Sequence, residues 1–255
     1  MTNMRLDRAK IEALARESHV EREIVEALAD PLVTSMATFL RRLFSGPPNT
    51  GIDNGYVPER FAFARALLAG EDATSEIAMS GAPTLPWPHA AAPSFQSDAL
   101  EGDRDDSFRF VEGTLRVPGN LDLTGQLLVA GDLHVDGLVF SGDWRAILVC
   151  GDVHCRALEV SESYALVGGS VKASELVLVD DGADVRIEGD LVTRGLLFGE
   201  LGGSGVDVGG DDRARHIELE DSGSHELFVE VQGEEDATFS WHLMRAISRG
   251  VPVWR

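Results

Sequence analysis

The sequence is poor in the features that stabilise secreted or membrane proteins. It contains 2 cysteines in 255 residues, Cys150 and Cys155, and they lie five positions apart. Two cysteines this close cannot form a disulfide framework, and we expect both to stay reduced. No run of 18 apolar residues occurs, and no apolar signal segment follows Met1. We therefore expect a soluble cytoplasmic protein with one large or two small domains and no association with membranes.

The short motifs of common enzyme families are also missing. The sequence contains no G-x-S-x-G, H-E-x-x-H, Walker or dinucleotide-binding fingerprint. The strict six-residue apolar period of left-handed hexapeptide acyltransferases is absent as well. We expect a protein that is not an enzyme, with no catalytic residues and no cofactor.

Positive charge is scarce and unevenly distributed. The chain has 22 Lys and Arg against 43 Asp and Glu, a formal net charge of −21. Residues 1–50 hold seven of each sign, whereas residues 101–255 hold 13 basic and 30 acidic residues. Such a field repels nucleic acid and anionic membranes, and it attracts basic proteins. Acidic surfaces also serve solubility alone, and charge does not decide between these two interpretations.

Four segments in the middle of the chain can be aligned on one another. Their general pattern is an apolar pair, a small residue, glycine, a short polar residue and then alternating apolar positions, and their starts are 20, 18 and 20 residues apart. A fixed period near 20 residues predicts a β-solenoid, because each rung buries its inward side chains against its neighbours. The segments are Leu127–Phe140, Ile147–Val160, Ala165–Leu178 and Val185–Phe198.

The glycine in each segment marks a corner of the predicted rung, where a β-carbon would be resisted. The short polar side chain that follows is expected to bond the local backbone and hold the bend. The glycines are Gly131, Gly151, Gly169 and Gly189, followed by Asp132, Asp152, Ser170 and Asp190. Alternation then places on the inward face Leu133 and Val135, Val153 and Cys155, Val171 and Ala173, and Leu191 and Thr193.

Degraded rungs flank the four good ones. Leu115–Leu123 carries a corner at Gly119, and Val206–Asp212 carries one at Gly209. Strands are expected to continue at Ile217–Leu219 and Leu227–Val231.

Helices are predicted on both sides of the solenoid. They are Asn3–Glu17, Val20–Ala29 behind a Ser18/Glu21 capping box, a helix from Pro31 behind an Asp30 cap, Pro58–Gly70 and Ser240–Arg249. We expect the first four to hide the edge of the first rung, and the last helix to cover the last rung. The predicted organisation is α+β: a helical head at 1–70, a Pro/Ala/acidic linker at 71–106, the solenoid at 107–235 and a C-terminal cap at 236–255.

Two places have side chains suited to metal binding. His134 and His154 occupy equivalent outward positions on adjacent rungs, next to Asp132 and Asp152. Because the following rung has Ser170 and Lys172 there, a polar surface ladder is the favoured interpretation over a metal site. Gly202–Asp207 resembles the calcium-binding nonapeptide of repeat-in-toxin β-rolls, but a flexible glycine-rich turn is favoured there. We assign no metal.

Residues 115–200, with GNLDLTG, VAGDLHVDG, VCGDVHC and IEGDLVTRG, resemble the short β-helix of bactofilins, a bacterial family of polymer-forming cytoskeletal proteins. The resemblance covers about a third of the chain, and it implies a right-handed parallel β-helix without catalytic residues. The helical head and C-terminal cap depart from that family, whose open ends stack into filaments. A monomer or dimer is therefore favoured over a filament.

More loosely, the chain resembles acidic, repeat-built bacterial immunity proteins. The resemblance implies a protein partner, namely a basic toxin domain that the chain binds and neutralises, with a bactofilin-like scaffold as the alternative. Acidic side chains are the candidate contacts. They are Asp103, Asp105 and Asp106 in the linker, Asp180, Asp181 and Asp184 in the solenoid, and Glu234, Glu235 and Asp236 near its end.

Overall fold

The structure, a computed structural model, describes residues 4–45, 57–69, 76–78, 108–123, 125–141, 146–180, 182–199, 204–219, 227–228 and 239–255. Within these ranges, four helices precede a β-solenoid of about five parallel turns, and one helix follows it. The predicted fold class is confirmed. The helices are α1 (Arg8–Ala15), α2 (Glu21–Ala29), α3 (Met36–Ser45), α4 (Val57–Leu68) and α5 (Phe239–Ser248).

Within the described residues, the strands form two parallel sheets. One has six strands, β2 (Phe108–Val111), β5 (Gln126–Val129), β8 (Ala146–Val149), β10 (Tyr164–Val167), β12 (Asp184–Ile187) and β14 (Gly205–Val208). The other has ten, β1 (Glu76–Ala78), β3 (Thr114–Val117), β4 (Leu121–Asp122), β6 (Leu133–Val135), β7 (Leu138–Ser141), β9 (Val153–Ser161), β11 (Val171–Asp180), β13 (Leu191–Phe198), β15 (Asp212–Arg213) and β16 (His216–Glu218).

A bend divides the ten-stranded sheet, so that the solenoid has three faces. In β11 the register shifts between Ala173 and Leu176, whereas the first two rungs have separate strands, β3 and β4 or β6 and β7, on either side of the bend. We call the outward side of the six-stranded sheet the head face. The outward side of β3, β6, β15 and the first halves of β9, β11 and β13 is the open face. The outward side of β4, β7, β16 and the second halves of β9, β11 and β13 is the tail face.

The core inside the three faces is built from the predicted inward positions. Leu133, Val153, Val171 and Leu191 are at most 1% exposed and lie in register across four rungs. Aliphatic side chains dominate this core, which explains how a chain with 7% aromatic residues can still fill its interior.

The corner glycines are required by close approach of the preceding rung. A Cβ at Gly189 would lie 2.5 Å from Ser170 Oγ and 2.8 Å from the backbone of Gly169. Among the described glycines, positive φ occurs at other positions, such as Gly119 at 103°. The expectation of a corner that a β-carbon resists is therefore met through space and not through φ.

Two corner assignments in the degraded rungs were wrong. Gly131 donates its backbone N–H to Gly113 O at 3.1 Å, so Gly113 is the first-rung equivalent, and Gly119 instead matches Gly137 at the next bend. At the other end, Gly210 and not Gly209 donates to Gly189 O at 2.9 Å. The first rung is thus 18 residues long and as regular as the others.

The helical head packs on the side of the solenoid and not over its first rung. Phe39, Leu40, Leu67 and other head residues share one apolar cluster with Leu128 and Leu148 on the head face. Phe44 stacks on Phe108 with ring centroids 5.1 Å apart. The first rung is instead paired by strand β1, in a segment that was predicted to be part of a linker.

The C-terminal helix also packs laterally. Leu243, Met244 and Ile247 of α5 lie in one cluster with Leu176 and Leu197 on the tail face. We expected α5 to cover the last rung, but it extends along one side of the solenoid instead. Asn120, in the first rung, donates from Nδ2 to Ser248 O at 2.9 Å and accepts from Leu138 N at 2.9 Å.

Two helix starts were wrong. The first helix was predicted from Asn3, but α1 begins at Arg8 behind an Asp7 cap. Asp30 Oδ1 accepts from Leu32 N at 2.9 Å and closes a turn, whereas α3 begins at Met36. The cap of α3 is Ser35, whose Oγ accepts from Thr38 N at 3.2 Å. The pair of Ser35 and Thr38, three positions apart, was therefore a better signal for the start of the helix than Asp30 followed by Pro31.

Polar and charged residues occupy inward positions in the first and last described rungs. Arg109 pairs in register with inward Leu127, and burial lowers the pKa of its guanidinium. At the other end Asp212 pairs with inward Leu191, and His216 pairs with inward Leu196. His216 Nε2 lies 2.7 Å from Asp212 Oδ2. Apolar side chains at these positions would otherwise continue the core.

Candidate functional site

The open face carries one straight row of outward side chains along the solenoid. Parallel pairing places them in consecutive rungs, and each is exposed or partly exposed. Since neighbouring strands lie about 4.8 Å apart, the row spans about 24 Å. The row consists of Arg116, His134, His154, Lys172, Val192 and Arg213.

The two imidazoles at the centre of the row are stacked. His134 and His154 have ring centroids 4.7 Å apart and an interplanar angle of 10°. The predicted stacking of these side chains is confirmed. Backbone register holds the rings together, because the two residues are direct partners on β6 and β9.

A second row, of short polar side chains, borders the first at the glycine corner. Asp132 Oδ1 accepts from Asp152 N at 2.8 Å, and Asp152 Oδ1 accepts from Ser170 N at 2.8 Å. Ser170 Oγ accepts from Asp190 N at 3.0 Å, and Asp190 Oδ1 accepts from Asp211 N at 2.9 Å. The corner side chains were expected to bond their own bend, but each bonds the backbone of the next rung.

The second oxygen of a corner aspartate can still face the cationic row. Asp152 Oδ2 lies 3.1 Å from Lys172 Nζ and 3.8 Å from His154 Nε2. The pKa of Asp152 is held below its usual value, first by the hydrogen bond from the Ser170 backbone and then by Lys172. Arg213 lies 2.8 Å from Asp211 in the same manner. The two rows together form a band, in which carboxylates of the corner row lie beside cations of the first row.

The open face is therefore close to neutral. In its central four rungs, Arg116, Arg156 and Lys172 are set against Asp132, Asp136, Asp152 and Glu175. The acidic character of the chain lies elsewhere: residues outside the described ranges include 18 Asp or Glu and 2 Arg. Most of the net charge of −21 thus belongs to segments other than the regular rungs.

Of the predicted partner-binding residues, Asp180 and Asp184 can be located. Asp184 pairs with Arg186 at 2.7 Å on the head face, beyond the area that the helical head covers. Asp180 ends β11 near Glu159, whose pKa is raised to about 8 by burial and by the charges of Asp180 and Asp122. Asp180 ends the tail face and Asp184 begins the head face, on either side of the corner at which Ala183 N donates to Asp180 O at 3.2 Å. The other seven predicted contacts, at 103, 105, 106, 181 and 234–236, lie outside the described residues.

The described residues contain no group of three or more His, Cys, Asp or Glu arranged to hold a metal ion. Of the proposed calcium loop, Gly205–Val208 forms strand β14 and pairs with β12, so the flexible turn expected there is wrong for these residues. Both cysteines are free, and Cys155 points into the core as predicted. Burial raises the pKa of each thiol to about 12.

Sequence reasoning found the two histidines but not the full row. Arg116 and Arg213 lie in the degraded rungs. There the corner was assigned to the wrong glycine, and the register that follows from it was therefore wrong. Counting from Gly113 and Gly210 would have placed both arginines in line with His134.

No helix in the described part of the chain is long and apolar enough to span a membrane. The chain matches no model of a known protein family, no curated protein and no solved structure at a significant level.

Proposed function

We propose that the chain is a non-enzymatic, protein-binding solenoid, and most concretely an immunity protein that binds and neutralises a basic bacterial toxin domain. One observation carries the proposal. Two faces of the solenoid are occupied by the chain's own helices, whereas the third presents an ordered row of polar side chains to solvent. A face that the chain's own helices leave uncovered is available to a partner.

The backbone of the open face supports this role because it is already ordered. Each residue of the row lies on a strand that pairs with one or two neighbouring strands. The corner side chains add hydrogen bonds between successive rungs. A partner would therefore bind without paying a large entropic cost for ordering the loop segments of its target.

Electrostatics support a basic partner at long range. The net charge of −21 attracts a cationic domain, and the neutral band on the open face then contacts it without strong repulsion. The acidic segments outside the described residues would add to the attraction.

The scaffold alternative is less well supported. End-to-end stacking would place another rung against inward residues such as Arg109 at one end or Asp212 and His216 at the other. Burying these charged side chains in a continuous apolar core is unfavourable. We therefore propose that the chain is a monomer or a dimer and does not form filaments.

The test is co-expression of the full tagged chain with the products of adjacent genes, followed by light scattering and mass spectrometry. We expect a stoichiometric complex with a basic toxin domain. Val192→Trp should disrupt it, because Val192 is 37% exposed in the row, whereas the matched control Leu32→Trp alters a side chain that is 78% exposed on the helical head. Large homopolymers would favour the scaffold, and a complex equally insensitive to both variants would exclude the open face as its interface.

A further inference from the structure

The two ends of the solenoid are finished differently. In the first rung, strand β1 adds in parallel to β3, with Glu76 opposite Thr114 and Ala78 opposite Arg116. β1 lies far from β3 in the chain, so the edge of an end rung already accepts a strand from a distant segment. In the last rung, within the described residues, no strand pairs with the outer edge of β14, which is the edge that faces away from β12.

The backbone of β14 directs hydrogen-bonding groups to that outer edge. The N–H groups of Gly205 and Gly209 donate to carbonyl groups of the preceding rung at 2.9 and 2.8 Å. In a parallel ladder, alternate residues turn their N–H and C=O groups toward opposite neighbours, so Val206 and Val208 direct theirs to the outer edge. A strand added there would supply the hydrogen-bond partners of both valines.

The side chains of β14 indicate the chemistry of such a strand. Val206 and Val208 point inward and are only partly buried, because the apolar core ends at this rung. Asp207 points outward, is exposed and follows Arg186 in the same column. A matching strand has apolar side chains that extend the core on either side of a basic side chain beside Asp207. Residues 204–219 hold four carboxylates and two arginines, which also favours a basic segment.

We propose that the outer edge of β14 is a docking site for an extended basic segment of the protein partner, which adds a strand with an apolar–basic–apolar pattern. The proposal rests on the proposed function for the identity of the partner. It adds a second contact to the open face, whose row ends at Arg213 in the same rung. One added strand covers the two valines and leaves Asp212 and His216 exposed, so it avoids the burial of charge that opposes end-to-end stacking.

Two other arrangements fit the structure less well. A second copy could pair its own β14 antiparallel, but the register that places Val206 opposite Val208 also places the two Asp207 carboxylates opposite each other, which is destabilising. At the other end of the six-stranded sheet, β2 has Arg109 at an inward position. A strand added to β2 would therefore meet a guanidinium where β14 offers a valine.

The first test measures amide hydrogen exchange by NMR in the full-length chain, free and with a blocked peptide about seven residues long in which valine and lysine alternate. In the free chain, the amides of Val206 and Val208 should exchange faster than those of Gly205 and Asp207, which bond β12. The peptide should slow exchange at both valines, and the same peptide with glutamate in place of lysine should have little effect. Slow exchange at the valines in the free chain, or no slowing by the lysine peptide, would overturn the proposal.

The second test measures the affinity of the co-purified toxin domain for variants at one position. Val206→Pro removes an outer-edge donor without changing the charge, and Val206→Thr is the matched control that keeps the donor and the β-branched shape. We expect at least about fivefold weakening for Val206→Pro and less than about twofold for Val206→Thr. Unchanged affinity in a folded Val206→Pro variant would exclude this edge as a docking site for the partner.

A charge reversal keeps the proposal testable if Val206→Pro does not fold. Asp207→Lys leaves the backbone of β14 unaltered, and the full-length variant should bind the glutamate peptide better than the lysine peptide, the reverse of the wild type. An unchanged preference would show that the peptides do not lie beside Asp207. Failure to obtain any toxin complex counts against the proposed function, and the exchange and peptide measurements then decide the docking edge alone.

Discussion

The head face and the open face are built from the same rungs and differ only in their outward side chains. Leu128, Leu148 and Leu166 on one face are buried under helices, whereas His134, His154 and Lys172 of the same rungs face solvent on the other. The inward residues of both faces belong to one core. The comparison shows that inward positions specify the solenoid, while outward positions decide which face is filled by the chain itself.

The head face repeats this lesson along its own length. In the column that contains Leu128 and Leu148, the outward residues are apolar through Leu166, and the next rung has Arg186. The helical head ends where this change occurs, and there Arg65 of α4 pairs with Glu188. A polar outward residue thus limits the extent of the cover.

The largest effect is expected when the head face is made to resemble the open face. Leu148→Asp places a carboxylate where the side chain is fully buried between sheet and helices, and it should lower the free energy of unfolding by about 4 kcal/mol or detach the head. Urea denaturation and limited proteolysis measure both results. His154→Asp in the same rung is the matched control, and it should cost less than about 1 kcal/mol. Equal losses would contradict the distinction between the faces.

A smaller effect is expected at the tail face, where the Asn120 amide joins α5 to the first rung. Asn120→Ala removes the partner of Leu138 N and of Ser248 O, and Asn120 is 3% exposed. Leaving both buried groups unpaired should cost about 2 kcal/mol. Chemical denaturation measures the loss, and faster hydrogen exchange in α5 should accompany it. Unchanged exchange in α5 would show that Asn120 does not hold the helix.

At the corner that borders the open face, Asp152→Ala should cost about 1 kcal/mol at pH 7, because the bond from Ser170 N is lost. The lowered pKa of Asp152 means that the carboxylate stabilises the fold above about pH 4, where an unfolded aspartate ionises, and that this contribution is lost as pH falls through the lower folded value. The difference between wild type and Asp152→Ala should therefore shrink below pH 4.

Asp152→Ser is the control for that measurement. Serine performs the same role at Ser170, where its Oγ accepts from Asp190 N at 3.0 Å. The variant should keep most of the bond without the titration. A pH response as large as that of the wild type would assign the effect to another carboxylate.

The smallest effect is expected within the row itself. Lys172→Met removes an exposed cation whose ion pair with Asp152 is at the surface, so the free energy of unfolding should change by no more than about 0.5 kcal/mol. Thermal denaturation measures this change. A loss of several kcal/mol would mean that the row is needed for folding and is not free to serve a partner.

The solenoid was predictable because its signals are local and repeated. Glycine, a short polar residue and alternating aliphatic residues recur at one spacing, and Leu133, Val153, Val171 and Leu191 are buried as the alternation requires. The position of the helices was not predictable in the same way. The sequence of an amphipathic helix shows which of its faces is apolar, but not which surface that face packs against. Nothing in the sequence around Phe44 indicates its contact with Phe108.

The candidate site was predictable in part for a related reason. The histidine pair follows from equivalent positions in two good rungs, whereas Arg116 and Arg213 depend on register in rungs whose corners were misassigned. The acidic contacts were selected by charge alone, and charge carries no information on which residues share a surface. Asp180 and Asp184 meet at one corner of the solenoid because they are four residues apart in the chain.

The corner ladder also has a consequence for the length of the molecule. From Thr114 through Asp132, Asp152 and Ser170, each rung brings the acceptor for the next rung's backbone, so every unit of 18 to 20 residues contains its own connector. Duplication or deletion of one such unit would leave the ladder continuous. The length of the open face would therefore grow or shrink by one strand spacing, about 4.8 Å, with each unit gained or lost.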